Sequence, residues 1–456
     1  MKAAASASTS LYASAEKIYA RGSHGRYSRL RVAAMLVLLG AYYLLPWLHW
    51  GGHPLVLFDL PARRFHLFGL TLFPQDLFLL AGLLVVAAMT LFLFTTLAGR
   101  LWCGYACPQT VWTEAFMWIE RWVEGERHQR QKLDRAPWGA LKIARKASKH
   151  VLWLGLGLFT GLTFVAYFMP AREVFADLVT GTLSGWPLFW SLFYGFATWG
   201  NGGFMREQVC KYMCPYARFQ SAMFDRDTLI IAYDAPRGEP RKSVAKLSHQ
   251  ATGACVDCTL CVQVCPVGID IRKGLQYECI ACAACIDACN NVMDQVHQPR
   301  GLIRYTSERQ EKGGGFRVMR PRLLAYGLVW LAVVAGLGTL LLTHSAVELD
   351  VLRDRRQLYR ELDDGRIANV FTLKIANKAE RAHEFRITAH RADGESVPLS
   401  VEAAHVSASS TESVVLAAIL SSDHAHGVQT LVFEVTALDD PKLHRRHDAR
   451  FIGASK

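Results

Sequence analysis

Eight of the twelve cysteines fall into two dense runs typical of iron–sulfur proteins. In each run the cysteines are separated by two, two and three residues. Three thiolates on one tight turn can hold a [4Fe–4S] cube, and the fourth cysteine of such a run binds the other cluster of the pair. The spacing therefore predicts two clusters with crossed ligation. The first ligand set is Cys255, Cys258, Cys261 and Cys289, and the second is Cys279, Cys282, Cys285 and Cys265.

The alternative for these eight cysteines is a pair of zinc sites. Zinc ribbons pair two short knuckles across a longer gap. Here each run packs four cysteines into eleven residues, 255–265 and 279–289, which leaves no such gap. Small residues at Ala281, Ala283 and Ala284 also suit close approach of the backbone to a cluster. The pattern favours iron–sulfur chemistry.

The other four cysteines form a repeated C-x-Y-x-C-P motif. The first copy contains Cys103 and Cys107, and the second contains Cys210 and Cys214. Because proline is favoured at the first helical position, Cys107 and Cys214 are expected at helix N-termini, where the helix dipole lowers the pKa of a thiol. Soft thiolates near Met205 and Met213 suit Cu(I). A dithiol that cycles to a disulfide, a third cofactor and a quinone site remain alternatives.

Five long apolar runs are expected to position these motifs in a membrane. They lie near 32–50, 77–98, 151–170, 183–199 and 323–343. A bilayer core is crossed by about 20 apolar helical residues. Each C-x-Y-x-C-P motif follows a pair of runs, so the membrane domain resembles a duplicated two-helix unit with both motifs at one membrane face.

The net charge of +12 is distributed as in a membrane protein rather than a nucleic-acid-binding protein. Basic residues concentrate before the first run and between Arg121 and Lys149. The positive-inside rule then places the N-terminus and the loops 100–149 and 203–320 in the cytoplasm, and the C-terminal region 344–456 outside. All twelve cysteines fall on the predicted reducing side, which argues against a disulfide scaffold. We expect no removable signal peptide.

The remaining segments predict an interfacial helix and a β-sandwich. In 109–124, Trp112, Phe116, Ile119 and Val123 recur at helical spacing, with Trp118 and Trp122 as interface anchors. From Glu348 onward, short alternating runs predict an immunoglobulin-like (Ig-like) sandwich. The predicted domains are a cytoplasmic tail 1–30, a four-span membrane domain 31–202, a cytoplasmic two-cluster ferredoxin-like domain 203–320, a fifth membrane helix 321–344 and a periplasmic Ig-like domain 345–456.

The combined motifs resemble the CcoG/FixG/RdxA family of polyferredoxin-like accessory proteins for cbb-type cytochrome c oxidase. The resemblance is carried by WCGYACPQTVWTEAFMWIERWVEG, REQVCKYMCPYARFQSAMFD and the cysteine-rich run 255–289, followed by a span and a sandwich. It implies a multi-pass bacterial inner-membrane protein that reduces Cu(II) to Cu(I) for oxidase assembly. It further implies copper handling by Cys103, Cys107, Cys210 and Cys214, and docking of an oxidase subunit or a copper chaperone on the Ig-like domain.

Three functions are therefore weighed. The first is a membrane-bound cupric reductase that contains two [4Fe–4S] clusters and takes electrons from an unidentified donor. The second is a relay that accepts electrons from quinol or ferredoxin and passes them to another redox partner. The third is an assembly scaffold whose sandwich binds partners and whose clusters sense redox state.

Overall fold

A computed structural model describes residues 17–50, 53–68, 70–242, 252–315, 317–343, 345–354, 357–379 and 381–453. The chain divides into two compact units. The first contains residues 1–58 and 83–334, and the second contains residues 59–82 and 335–456. The membrane helices and the cysteine-rich insert thus belong largely to one unit. Residues 1–16 of the predicted tail lie outside the described residues, and the first helix begins at Arg26.

The helices of the described residues concentrate before the cysteine-rich insert. They are α1 (Arg26–Leu44), α2 (Leu77–Ala98), α3 (Leu101–Tyr105), α4 (Pro108–Glu124), α5 (Arg127–Arg135), α6 (Ala140–Val165), α7 (Ala171–Thr180), α8 (Gly185–Trp199), α9 (Pro215–Met223), α10 (Ala235–Gly238), α11 (Leu260–Gln263), α12 (Ala284–Gln295), α13 (Glu308–Glu311) and α14 (Pro321–Leu342). Two π-helical turns, Gly200–Met205 and Val209–Met213, lie between α8 and α9.

Four helices in the described part of the chain are long and apolar enough to cross a membrane. They are Arg26–Trp47, Leu77–Ala98, Ala140–Val165 and Pro321–Leu342. The remaining predicted run forms α8, whose 15 residues span about 22 Å at 1.5 Å per residue. That length is shorter than the roughly 30 Å hydrocarbon core, so α8 is not among the four. A π-helical turn extends it by six residues to Met205.

Small residues allow α6 and α8 to pack closely. A Cβ atom on Gly161 would come within 2.0 Å of the carbonyl oxygen of Ser191, and one on Gly157 within 2.7 Å of the carbonyl oxygen of Gly195. Because backbones can approach this closely only where side chains are absent, these glycines set the spacing of the helix pair. Helix α4 packs across α6 and α1.

A buried charge cluster joins α4 to the π-helical turn that precedes the second cysteine motif. The carboxylate of Glu120 is fully buried and accepts hydrogen bonds from Arg130 (2.9 Å) and Arg206 (3.0 Å). Glu124 is also fully buried and pairs with Lys149 at 2.8 Å. The helical spacing of the apolar residues in 109–124 predicts an interfacial helix, and it does not reveal that these acidic side chains are buried. Trp118 and Trp122 are exposed, and their role as interface anchors stays a prediction.

The cysteine-rich insert is organised around a short hairpin and helix α12. Strands β6 (Ile230–Tyr233) and β7 (Ile303–Thr306) pair antiparallel on either side of the two cysteine runs. The buried carboxylate of Asp287, on α12, accepts hydrogen bonds from the backbone N–H groups of Tyr27 (3.3 Å) and Ser28 (2.7 Å). These groups belong to the first turn of α1, so the insert caps the membrane helix.

The other strands lie before α2 and after α14. They are β1 (His49–Trp50), β2 (His53–Pro54), β3 (Val56–Asp59), β4 (Arg64–Leu67), β5 (Leu70–Leu72), β8 (Val347–Arg353), β9 (Arg360–Glu361), β10 (Ile367–Asn377), β11 (His383–Arg391), β12 (Ala403–Val406), β13 (Ser410–Leu420), β14 (Val428–Ala437) and β15 (His444–Ile452).

The C-terminal strands form the predicted β-sandwich. One sheet has the order β13-β10-β8, with β9 also paired to β10, and the other has the order β12-β11-β14-β15. Alternate residues point into a shared core, where the side chains of Phe371, Phe385, Phe433 and Phe451 are fully buried. The rings of Phe371 and Phe433 are 4.9 Å apart, within the usual range for aromatic pairs.

Candidate functional site

The eight cysteines of the insert surround two neighbouring cavities. One cavity is lined by Cys255, Cys258, Cys261 and Cys289, and the other by Cys265, Cys279, Cys282 and Cys285. The fourth cysteine of each run therefore lies with the first three of the other run, which is the grouping that crossed ligation predicts. Cys261 lines both cavities, so the two sites are adjacent. The assignment of these thiols as ligands stays a prediction.

Both cysteine runs follow the same backbone path. The second and fourth residues after the first cysteine are left-handed in each run, with φ of 58° and 56° at Asp257 and Thr259, and 52° and 60° at Ala281 and Ala283. Such conformations are uncommon for residues other than glycine and concentrate at functional sites. A left-handed residue at every second position curves the chain around a central space and directs the backbone N–H groups into that space. The backbone therefore fits a polynuclear cluster within each turn.

Burial disfavours the thiolate form of these cysteines unless a cation lies beside them. The pKa of Cys265 is raised to about 11 and those of Cys279 and Cys289 to about 12, mainly by burial and to a smaller extent by neighbouring thiols. Iron would supply the compensating positive charge. In the described residues, no three His, Cys, Asp or Glu side chains converge as they would on one metal ion. The cysteine sets thus fit a cluster several ångströms across better than a zinc ion.

The two C-x-Y-x-C-P motifs have the predicted helix-start geometry. Cys107 is the N-cap of α4 and Cys214 is the N-cap of α9, and a proline occupies the first turn of each helix. The residues before them differ, since Cys103 lies in the short α-helix α3 and Cys210 in the π-helical turn 209–213. π-Helical turns occur frequently at functional sites.

The four thiols of the two motifs lie near one another. A charge on Cys107 raises the pKa of both Cys103 and Cys210, and a charge on Cys214 raises the pKa of both Cys107 and Cys210. Each motif therefore interacts electrostatically with the other. The duplicated unit brings its two motifs together, as the repeat predicts.

The predicted lowering of the thiol pKa at a helix start is wrong for Cys107, because burial raises the pKa of that thiol. The pKa of Cys103 is raised to about 12 and that of Cys210 to about 11, mainly by burial and to a smaller extent by the neighbouring thiols. Arg100 lowers both pKa values, but its effect is smaller than that of burial. A helix dipole lowers the pKa of a solvated thiol, whereas these thiols are largely shielded from water. Cys103, Cys107 and Cys210 are therefore protonated at neutral pH until a cation or an oxidant replaces the proton.

The first motif packs directly on the second cysteine run of the insert. Cys103 contacts the apolar cluster that contains Cys265 and Cys282. A Cβ atom on Gly104 would come within 2.7 Å of the carbonyl oxygen of Ile280 and 2.9 Å of the Cα atom of Cys282. The absence of a side chain at Gly104 therefore brings the membrane motif against the second predicted cluster site.

Polar side chains link the two copies of the motif. The Cys103 thiol donates a hydrogen bond to the Oε1 atom of Gln220, 3.2 Å away, on a helix of the second copy. Reciprocally, Gln109 of the first copy donates to the carbonyl oxygens of Asn201 (3.0 Å) and Arg206 (3.1 Å). Gln220 is fully buried. The Cys103 thiol is thus oriented by a side chain from the opposite copy, and Gln109 ties the two copies together.

A cavity of about 40 Å³ lies between the second motif and the insert. Cys210, Met35, Met117, Glu207 and Arg206 are among its lining residues. Met35 and Met117 are 4% and 6% exposed, whereas Met213, which the sequence analysis placed near the thiols, is 57% exposed. The soft donors beside Cys210 are therefore methionines distant in sequence. Sequence reasoning missed them, together with Gln220, because they lie outside the repeated motif.

Family models match three segments of the chain. A model described as a 4Fe-4S dicluster domain matches residues 205–308, and one described as a 4Fe-4S binding domain matches residues 80–125. A model of the Ig-like fold at the C-terminus of FixG matches residues 337–454. The first match covers both cysteine runs, so the protein contains a two-cluster iron–sulfur domain.

Curated relatives match most of the chain. Nitrogen fixation protein FixG of Rhizobium meliloti is 41% identical over 420 residues, which cover 83% of this chain and 80% of the relative. Protein RdxA of Cereibacter sphaeroides is 41% identical over 393 residues, which cover 83% of each chain. A crystal structure of a FixG-related protein from Vibrio parahaemolyticus covers 24% of this chain and 98% of its own, at 20% identity and a TM-score of 0.21, and nothing is concluded from that match. With these motifs, domains and relatives together, the chain belongs to the FixG/RdxA family of membrane iron–sulfur proteins.

Proposed function

We propose that this membrane iron–sulfur protein is a cupric reductase that converts Cu(II) to Cu(I) at its four membrane-motif cysteines for the assembly of a cbb-type cytochrome c oxidase. The observation that carries the proposal is the contact between these cysteines and the second predicted cluster site, made through Cys103 and Gly104. The chemistry transfers one electron to copper. When bound, the two clusters would store and supply single electrons.

The donor set around Cys210 suits copper better than an organic substrate. Thiolate and thioether sulfurs are soft ligands that select Cu(I). A cavity of about 40 Å³ has room for an ion with a water molecule, whereas organic ligands typically need about 300–1,000 Å³. Cys210, Met35 and Met117 all line this cavity. These sulfur ligands would stabilise Cu(I) relative to Cu(II), and the bound copper would therefore accept an electron more readily.

The buried thiols couple copper binding to proton release. Their raised pKa values mean that each thiol that becomes a ligand must first lose a proton. Gln220 accepts a hydrogen bond from the protonated Cys103 and orients its sulfur. The resting site is therefore uncharged at the sulfurs, and negative charge develops there only as the cation arrives.

The direct test is copper reduction by pre-reduced protein. The purified full chain is reduced with dithionite, freed of excess reductant and mixed with Cu(II), and Cu(I) is measured with a chromogenic chelator. We expect Cys210→Ser to abolish Cu(I) formation while the iron content and the low-temperature EPR spectrum stay unchanged. Copper reduction at the wild-type rate by Cys210→Ser would rule out this site.

A methionine pair provides a matched control. Met117→Leu removes a thioether that lines the cavity, whereas Met213→Leu makes the same exchange at an exposed position next to Cys214. We expect Met117→Leu to slow copper reduction about tenfold, equivalent to about 1.4 kcal/mol, and Met213→Leu to leave the rate unchanged. Equal effects of the two exchanges would contradict the cavity as the copper site.

We also propose the topology that the distribution of basic residues predicts. The motifs and the ferredoxin-like insert then face the cytoplasm, and the Ig-like domain 345–456 faces the periplasm of a bacterial inner membrane. On that side the Ig-like domain is available to an oxidase subunit or a copper chaperone. Labelling of whole cells with a membrane-impermeant reagent at a cysteine introduced at Ser422 tests the sidedness. Failure to label in intact cells, with labelling after lysis, would reverse it.

A second candidate function is an electron relay to a partner other than copper. The contact between Cys103 and the insert supports a relay as well, because a dithiol there could pass electrons onward. Reduced protein that keeps its electrons in the presence of Cu(II) would favour the relay. A scaffold role would be favoured if variants that lack the clusters still support oxidase assembly.

A further inference from the structure

A groove of about 760 Å³ lies beside the first cysteine run of the insert and shares part of its lining, including Met117 and Pro266, with the cavity beside Cys210. Its walls come from the segment 20–32, from α4 and from residues 264–266. This volume is typical of a site for an organic ligand and far exceeds that of the cavity beside Cys210. The cupric reductase proposal leaves the groove without a role and leaves the reaction without an electron donor.

The groove reaches a predicted cluster ligand. Val264 and Pro266, which flank Cys265 in the sequence, both line it. Cys265 belongs to the second ligand set. An occupant of the groove therefore contacts the residues on both sides of a predicted ligand, which places it within easy reach for electron transfer.

The groove also reaches the membrane. Ser28 and Val32 line it from the first two turns of α1, within the candidate span that begins at Arg26. Trp118 and Trp122 line it from α4 and are 59% and 80% exposed, as expected for side chains at a membrane interface. A ligand can therefore pass from the bilayer into the groove without crossing the aqueous phase.

The lining combines apolar walls with a few polar groups. Val32, Met117 and Ile119 present hydrocarbon surface, while Ser23, Ser28 and His24 offer hydrogen-bonding groups. The charges largely balance, since Glu114 is paired with Arg121 at 3.1 Å and lies 4.0 Å from Arg31. Such a surface suits an aromatic ring with hydroxyl groups and an apolar tail better than a highly charged molecule.

We infer that this groove binds a membrane quinol, which is the electron donor of the protein. Oxidation breaks the two O–H bonds of the quinol and forms two C=O bonds. When bound, the two iron–sulfur clusters would accept the two electrons one at a time, and the two protons would pass to the His24 imidazole and to water. The electron acceptors are those of the proposed function, so the inference deepens that function by naming the class of the donor.

The test uses the full chain with its clusters oxidised, in lipid nanodiscs that contain no quinone. Addition of decylubiquinol should bleach the visible absorbance of the clusters with saturable kinetics. Ile119→Trp fills the groove from α4 and changes no residue of either cysteine run, and we expect it to slow bleaching about tenfold. The matched control, Ile143→Trp, makes the same exchange at an exposed position of α6 and should react like the wild type.

A second readout does not depend on electron transfer. An azido-benzoquinone photolabel, added to the oxidised protein, should modify peptides within 20–32 or 114–126, and Ile119→Trp should abolish that labelling. Reduction by dithionite should be equal in all three proteins. Equal rates of bleaching in Ile119→Trp and the wild type would overturn the inference, and so would labelling only outside these segments. Binding of phospholipid, but not quinone, in the groove would also overturn it.

The outcome is separable from that of the proposed function. Protein that reduces Cu(II) after dithionite treatment but never reacts with quinol keeps its cupric reductase role and has another donor. Protein whose clusters quinol reduces, but which leaves Cu(II) unchanged, keeps the quinol site and loses the copper role.

Discussion

At the residue scale, the buried carboxylate of Glu120 controls the geometry near the second cysteine motif. Its partner Arg206 has a left-handed backbone (φ 41°) and ends the π-helical turn that precedes Cys210. Arg206 also donates to the carbonyl oxygen of Gly203 at 2.8 Å. The position of the loop that carries Cys210 thus depends on a charge pair shielded from water.

Glu120→Gln is expected to destabilise the protein. Burial raises the pKa of Glu120, but the charges of Arg206, Arg130 and Lys149 outweigh burial and hold it below its ordinary value. Loss of one partner of a buried ion pair typically costs about 3–5 kcal/mol. We expect a lower melting temperature at pH 7 in detergent, with Glu173→Gln, at an exposed position of α7, as the control.

The same carboxylate predicts a dependence of stability on pH. The pKa of Glu120 is lower in the folded state than in the unfolded state. The ionised carboxylate therefore stabilises the fold at a pH above its ordinary pKa, and this contribution is lost as the pH falls through the folded-state pKa. The melting temperature of the wild type should therefore fall below about pH 4.5. Glu120→Gln should show a weaker fall, and an identical pH profile in both proteins would contradict the assignment.

The chemistry-bearing residues were predictable where a local motif encodes them. The spacing of the cysteines predicts which of them gather around each cavity, and the proline after Cys107 and Cys214 predicts the helix starts. Met35, Met117 and Gln220 were not predictable, because only the packing of distant helices brings them beside the thiols. The sign of the thiol pKa shift also depends on burial, which the motif does not encode.

At the element scale, the contact of α3 with the insert depends on the missing side chain of Gly104. A methyl group there would overlap the backbone at Ile280 and Cys282 and force the membrane motif away from the predicted cluster site. We expect Gly104→Ala to slow copper reduction by pre-reduced protein while the iron content is retained.

The control for Gly104→Ala is Gly155→Ala on α6. A Cβ atom at Gly155 would meet no atom within 4 Å, and alanine favours a helix more than glycine does. This exchange should leave the rate of copper reduction unchanged. A Gly104→Ala protein as fast as Gly155→Ala would show that the close contact is not needed for electron transfer.

Most elements follow from hydrophobic periodicity and length. The four candidate membrane helices lie where the long apolar runs predict them, and the strands of the sandwich lie in the C-terminal region where short alternating runs predict them. Strand β15 was not predicted, because His444–Asp448 is almost entirely charged or polar and resembles a loop. The inward-facing Glu114, Glu120 and Glu124 of α4 were also not predictable, since their partners come from other elements.

At the scale of the whole molecule, the C-terminal sandwich has a core of its own. Its buried residues come entirely from 347–451, so residues 345–453 should fold without the membrane helices. Phe371 is fully buried at the centre of that core. In the isolated domain, Phe371→Ala should lower the free energy of unfolding by about 3–5 kcal/mol, measured by urea denaturation.

An exposed position on the same strand pair gives the comparison for Phe371→Ala. Val415 on β13 is 61% exposed, and Val415→Ala should change the free energy of unfolding by less than about 0.5 kcal/mol. A segment 345–453 that stays unfolded, or a Phe371→Ala effect no larger than that of Val415→Ala, would contradict an independent core.

The exchange of Cys265 and Cys289 between the two cavities bears on how the protein acquires its iron. With crossed ligation as predicted, each cysteine run would supply ligands to both sites, and neither turn would be complete until both are loaded. Half-filled molecules should therefore be scarce during maturation, and a chain that loses iron from one site should soon release it from the other. The insert would then behave as a single unit in the cell, either fully metallated and redox-active or bare and exposed to proteolysis.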